Sequence, residues 1–321
     1  MSFELILPFL RPIEPLLLDE SISEIMGNPD ASWWYERDGI IRRESTITFA
    51  AGKLRTGLEV IANQLGKKLD EDNPILHTQL PDGSRLAAVI PPVVRLTPAL
   101  IIRKFTSRHY TVNDLIARGT LTRPLADFLA EQIRGGKTLL ISGGTGTGKT
   151  TLLRILADFI PEQERLVVIE DTSELQIQKP NILAVECQTD TFKANITFDD
   201  LLKSALRWRP DRIILGEVRG IEARTLLDSF NTGHSGSLAT IHANSAEKAL
   251  HRFANLVMRN HTQTTFSDTE AEIAEAVDFV VHVERQPGRR IVREVLGLRG
   301  YDRDARRFLI EPAFEVKHVA A

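Results

Sequence analysis

One stretch of this chain is built for holding phosphate. Gly143-Gly144-Thr145-Gly146-Thr147-Gly148-Lys149-Thr150-Thr151 matches the pattern G-x-x-x-x-G-K-[ST] in full. Glycines let consecutive backbone N–H groups turn inward as an anion nest, and a helix beginning at the same point adds a positive dipole. Lys149 is placed to reach the β- and γ-phosphates of a nucleoside triphosphate, and Thr150 to ligand Mg²⁺. Gly143 to Thr151 are thus the candidate nucleotide-binding residues, with ATP and Mg²⁺ as the expected cofactors.

Holding a nucleotide and cleaving it need different groups. Arg209-Pro-Asp-Arg-Ile-Ile-Leu-Gly-Glu217 is an apolar strand ending in an acid. Such a strand delivers a carboxylate to the sheet edge beside the loop, so Glu217 is the candidate for polarising the attacking water. A second pair of acids closes Val167-Val-Ile-Glu170-Asp171. Adjacent acids at a buried strand end are costly unless a metal or an arginine compensates them. Glu170 is therefore assigned to the water shell of the metal or to the attacking water, with Asp171 as an alternative cap of the following turn.

Two histidines follow in Thr232-Gly-His234-Ser-Gly-Ser-Leu-Ala-Thr-Ile-His242. Both are expected to face the γ-phosphate side, although His242 also suits a core position. As zinc ligands they make a poor set, lacking a third nearby partner.

These residues need elements to carry them. From about residue 110 apolar runs (KTLLIS, RLVVIE, ILAVE, RIILGE, SLATIH, DFVVHVE) alternate with helical patterns at 150–159, 197–207, 220–230 and 245–259. Strands alternating with helices predict an α/β domain with a mostly parallel sheet covered on both faces. The tail beyond residue 289 reads as strands with charged turns. Residues 1–105 have another texture: a helix within LRTGLEVIANQLGKKL, and a hairpin across Pro81-Asp-Gly-Ser84. They predict a smaller α+β domain, with 106–321 as the second domain and the junction near 103–110.

Composition fits that picture: 321 residues, 42% hydrophobic, 26% charged, net charge −3. Nothing in the overall balance points to nucleic acid, which is not expected as a direct ligand. Lys203, Trp208 and Arg212 nevertheless sit in a basic stretch, KSALRWRPDR, that a nucleic-acid motor would use. The single cysteine, Cys187, reads as a structural thiol. No stretch is long and apolar enough to span a bilayer, and MSFELILPFLRPIEPLLL is interrupted by charges and prolines. A GTPase would carry an Asn-Lys-x-Asp motif, and none occurs.

Taken together, GGTGTGKTT, VVIEDTSEL, RPDRIILGEVRG and TGHSGSLATIHANS resemble the Walker A, Asp box, Walker B and His box of the traffic ATPases of secretion and conjugation. That group includes PilT and the type IV secretion ring ATPases, and the likeness is greatest to the TrbB-like branch. The resemblance implies a RecA-like motor domain behind a sensor-like N-terminal domain. It also implies a homohexamer in the cytoplasm, peripherally attached to inner-membrane secretion or conjugation components. Arg85 and Arg103, with Arg95 less clearly matched, occupy the positions of the family's N-domain arginines, which complete the nucleotide site. Arg219 would hold the Walker B turn.

Overall fold

The computed structural model describes residue 4 and residues 6–37, 39–105, 110–188, 195–259 and 264–315. Part of the expected junction, 106–109, and part of the apolar N-terminal stretch lie outside the described residues. The chain divides into two compact units, 1–109 and 110–321.

In the first unit, strands β1 (Ile22–Gly27), β2 (Trp33–Arg37), β3 (Ile40–Glu44), β4 (Ile75–Gln79), β5 (Arg85–Val89) and β6 (Ala99–Arg103) form one antiparallel sheet. Its order is β3-β2-β1-β6-β5-β4. Alternation along the strands sends Ile25, Leu76, Leu86, Ala88, Leu100 and Ile102 to one face. There they share a core with Leu54, Leu58 and Ile61 of helix α2 (Lys53–Gln64), and with Leu16 and Leu17 of the short helix α1 (Glu14–Leu18). Arg85 and Arg103 fall on the opposite face and are direct partners across β5 and β6.

The second unit opens with helices α3 (Val112–Ala117) and α4 (Arg123–Arg134). It continues as β7 (Leu139–Gly143), α5 (Lys149–Ala157), β8 (Leu166–Glu170), β9 (Ile182–Glu186), α6 (Phe198–Ala205), β10 (Arg212–Val218), α7 (Glu222–Asn231), β11 (Leu238–His242), α8 (Ala246–Met258) and α9 (Phe266–Ala276). It ends with β12 (Phe279–Gln286), β13 (Arg289–Asp302) and β14 (Arg307–Phe314). Sheet order is β14-β13-β12-β7-β11-β10-β8-β9, with the six strands from β12 to β9 parallel and the last two antiparallel.

Every residue of β7 and β8 is buried, so both faces of the sheet are covered. Successive side chains go to opposite cores. Val167, Ile169, Ile213 and Leu215 pack with α6, α7 and α8, whereas Val168, Ile214, Leu139 and Ile141 pack with α4 and α5. The parallel register then brings the last residues of neighbouring strands to one edge. Gly143 pairs with His242 and Val283, and Leu215 with Ile169, so Glu170 and Glu217 end at that edge too.

Candidate nucleotide site

The phosphate loop is the turn from β7 into α5. Gly148 caps the helix at φ 90°, so the first turn of α5, whose N–H groups have no partner within the helix, begins at the loop. Gly143 has no room for a side chain, since a Cβ would lie 2.4 Å from the Val283 carbonyl oxygen. Thr147 Oγ1 donates to the Gly144 carbonyl at 3.0 Å, closing the loop on itself. Lys149 is buried at 6% exposure and donates from Nζ to the same carbonyl at 2.8 Å.

From Lys149 a series of polar contacts runs across the strand ends. Its Nζ lies 3.3 Å from His242 Nδ1, and His242 Nε2 lies 2.9 Å from Glu217 Oε1. An ammonium can only donate, so Nδ1 accepts and Nε2 carries the proton to Glu217. Burial, then the charge of Lys149, hold the His242 pKa below the usual imidazole value and keep the ring neutral. The other oxygen of Glu217 accepts from Arg219 Nε at 2.9 Å and Nη2 at 2.7 Å, and Arg219 Nη1 reaches Asp171 Oδ2 at 3.2 Å. Glu222 Oε1 accepts the N–H groups of Arg219 and Gly220 at 2.6 and 2.7 Å, which fixes the turn carrying Arg219.

Glu170 is buried at 4% exposure, against the Cα of Gly216. Its Oε1 accepts the N–H groups of Glu174 and Leu175, each at 2.9 Å. Burial pushes its pKa up to about 7 in spite of those two bonds. One oxygen is thereby committed to shaping the loop after β8. Asp171 is tied to Arg219, a tie that no linear pattern announces.

His234 requires a correction. It precedes β11, and its Nδ1 lies 3.2 Å from the Ser229 carbonyl, while Ser237 Oγ donates to its own carbonyl at 2.6 Å. Because β11 runs parallel to β7, with Leu238 beside Leu139 and His242 beside Gly143, the strand carries His234 to the edge away from the phosphate loop. Within one chain it does not face the γ-phosphate side.

The basic stretch at 203–212 does not form one surface either. Arg212 is buried, Lys203 pairs with Asp199 at 2.6 Å, and Trp208 packs on the core. An open cleft of about 560 Å³ does lie beside the loop, lined by Gly144, Thr145, His242, Lys248, Arg252 and Arg259 among others. Its three cations recur along α8 and the residue after it at helical spacing, a pattern the sequence carries without saying what it faces. Among the described residues, no group of three His, Cys, Asp or Glu could hold a metal ion by itself. No helix among them is long and apolar enough to cross a membrane.

A glycine-rich loop at the carboxyl edge of a mostly parallel sheet, with an antiparallel extension beyond the loop strand, defines a RecA-like P-loop domain. The chain belongs to the type II/IV secretion system protein family, whose model matches residues 10–295. It is 38% identical over 288 residues to the conjugal transfer protein TrbB of Rhizobium radiobacter, covering 88% of this chain and 85% of that protein. It is 34% identical to the type IV secretion system protein PtlH of Bordetella pertussis, covering 90% and 93%. The crystal structure of the Legionella pneumophila ATPase DotB shares the fold with a TM-score of 0.65 at 19% identity, covering 90% of this chain and 80% of that one.

Proposed function

We propose that this chain is a type IV secretion or conjugal-transfer ATPase. It hydrolyses ATP to ADP and phosphate and couples the cycle to subunit motion within a homohexameric ring. The observation that carries this reading is the continuous path Lys149–His242–Glu217, which joins the phosphate-holding lysine to the candidate base through one imidazole. Family membership and the likeness to TrbB and PtlH support the same reading. They also support a place at the cytoplasmic side of an inner membrane, docked on secretion or conjugation components.

The loop residues from Gly143 to Thr151 would hold the polyphosphate through backbone N–H groups, with Thr150 ligating Mg²⁺ and Glu170 facing its water shell. When bound, Mg²⁺ would supply charge neutralisation at the phosphates, and such an ion needs few protein ligands. As Lys149 turns from Gly144 O and His242 Nδ1 to the phosphates, the imidazole loses one partner. His242 thus reports phosphate occupancy to Glu217, whose carboxylate takes the proton of the attacking water. Arg219 aims that carboxylate through its two bonds to the other oxygen. Arg85 and Arg103, neighbours in register, are assigned as the cations that offset transition-state charge.

Equilibrium titration with a fluorescent ATP analogue tests the loop directly. Lys149→Ala should lose binding outright, and retention of wild-type affinity would sink the assignment. Negative-stain imaging with ATP should show six-membered rings, and a uniformly monomeric field would refute the ring.

A further inference from the structure

The phosphate loop has a second neighbour, on the side of β7 away from Glu217. In the sheet β7 lies between β11 and β12, so the hairpin of β12 and β13 stands opposite the His242–Glu217 path. Two arginines of this hairpin lie on the loop itself. Arg290 Nε donates to the Gly146 carbonyl at 3.0 Å. Its Cδ lies 3.2 Å from where a Cβ on Gly148 would sit, and Arg285 Nη1 lies 3.3 Å from the same point on Gly146. Gly146 and Gly148 both have positive φ, 69° and 90°. The hairpin's arginines therefore fill the space that the loop's bare glycines leave, and both are exposed on their outer side.

The contact has a consequence for the nest. In a trans peptide unit the carbonyl and the following N–H point in opposite directions. Holding Gly146 O toward Arg290 therefore aims the Thr147 N–H away from the hairpin, toward the concave side where an anion sits. Two guanidinium groups at this position also deepen the positive potential that the loop's own N–H groups create.

We propose that the β12–β13 hairpin is a cationic brace of the nucleotide site. Arg290 acts as a positioning residue for the phosphate loop, and Arg285 supplies a further cation to the nucleotide's polyphosphate. This rests on the reading of the loop as an ATP site. It adds a wall contributed by residues far along the chain, on the face opposite the hydrolytic groups.

The test compares the full-length wild type with Lys149→Ala, Arg290→Ala, Arg290→Lys and Arg285→Ala, by titration with ATP, ADP and adenosine and by steady-state kinetics. Arg290→Ala and Arg285→Ala should each bind ATP and ADP about tenfold more weakly, the size expected for one lost charged contact, whereas Lys149→Ala should lose binding outright. Adenosine binding should stay unchanged, and Arg290→Lys should recover part of the loss. Because the brace lies away from Glu217, KM should rise while kcat at saturation stays within about threefold. A merely structural role would lower the melting temperature without nucleotide and weaken adenosine together with ATP, and that pattern overturns the proposal. Wild-type affinity for ATP in both Arg290→Ala and Arg285→Ala overturns it as well. Failure of the wild type itself to bind ATP would instead refute the nucleotide reading. If Arg290→Ala does not fold, Arg290→Lys and Arg285→Ala carry the same comparison.

Discussion

Two arginines flank one strand, and their surroundings could hardly differ more. Arg212 opens β10 with its side chain 3% exposed, in a two-point ion pair with Glu164. Its Nη1 also donates to the carbonyls of Ile133 at 2.6 Å and Gly236 at 3.2 Å. Arg219 follows the other end of β10 with its side chain 49% exposed, and the bonds it makes to side chains are to the carboxylates of Glu217 and Asp171. At the first edge the guanidinium closes the sheet: it ties Glu164 to backbone carbonyls from the end of α4 and the turn before β11. At the second it is tethered to groups that a bound nucleotide would rearrange. The amino edge of this sheet is finished, and the carboxyl edge is left adjustable.

The largest effect should come from the adjustable edge. Glu217→Gln keeps the shape and the bond from His242 but removes the carboxylate proposed as the base. Turnover should fall about 10²–10⁴-fold, the range for loss of a positioned general base. Phosphate release measures this, and ATP binding should persist in the same titration. Normal turnover in the variant would remove Glu217 from the mechanism.

Next comes the pair of arginines itself. Arg212→Ala removes a buried guanidinium that ties Glu164, 24% exposed, to the Ile133 and Gly236 carbonyls, and should cost about 1–3 kcal/mol of folding stability. Arg219→Ala sits at a half-exposed ion pair and should cost less than about 1 kcal/mol while still lowering turnover. Urea unfolding alongside an activity assay separates the two. Equal stability losses would erase the distinction between the edges.

The same contrast explains what could be read from the sequence. The phosphate loop is contiguous, so its glycines, Lys149 and Thr150 announce themselves together. Glu217 and His242 end apolar runs, and a parallel sheet must bring such ends to one edge. His234 misled because TGHSGSLATIH looks like one segment, although a strand of five residues at roughly 3.3 Å each separates its two histidines. Arg212 looked like part of a basic surface because nothing local reveals Glu164 or the Ile133 carbonyl. Arg290 was silent for a similar reason, since only the pairing of β12 with β7 carries its hairpin onto Gly146.

His242 offers a smaller test on the adjustable edge. Its pKa is lowered from 6.5, so the ring is neutral at neutral pH and Nδ1 can accept from Lys149. Protonation on the acid side turns that acceptor into a donor facing an ammonium. Turnover should therefore fall as pH drops through a midpoint below the ordinary histidine value. His242→Ala should lower kcat about tenfold to a hundredfold, by loss of one aligning contact, and flatten that acid limb. An unchanged pH profile in His242→Ala would assign the limb to another group.

The smallest effect concerns stability at Glu170, and its sign separates the edges once more. The folded pKa is about 7 against an ordinary 4.5, with burial as the leading cause. Between those values the native state binds more protons than the unfolded chain, so stability declines as pH rises through this window. Above it, the charged carboxylate imposes the full penalty. Glu170→Gln carries no charge, yet its carbonyl oxygen can still accept from Glu174 and Leu175. The variant should gain about 1–3 kcal/mol over wild type near pH 8 and almost nothing near pH 5. Urea unfolding at both pH values, without nucleotide or metal, measures the difference. Parallel curves for the two proteins would mean that Glu170 is not a strained acid, and the carboxyl edge would then be as settled as the one Arg212 closes.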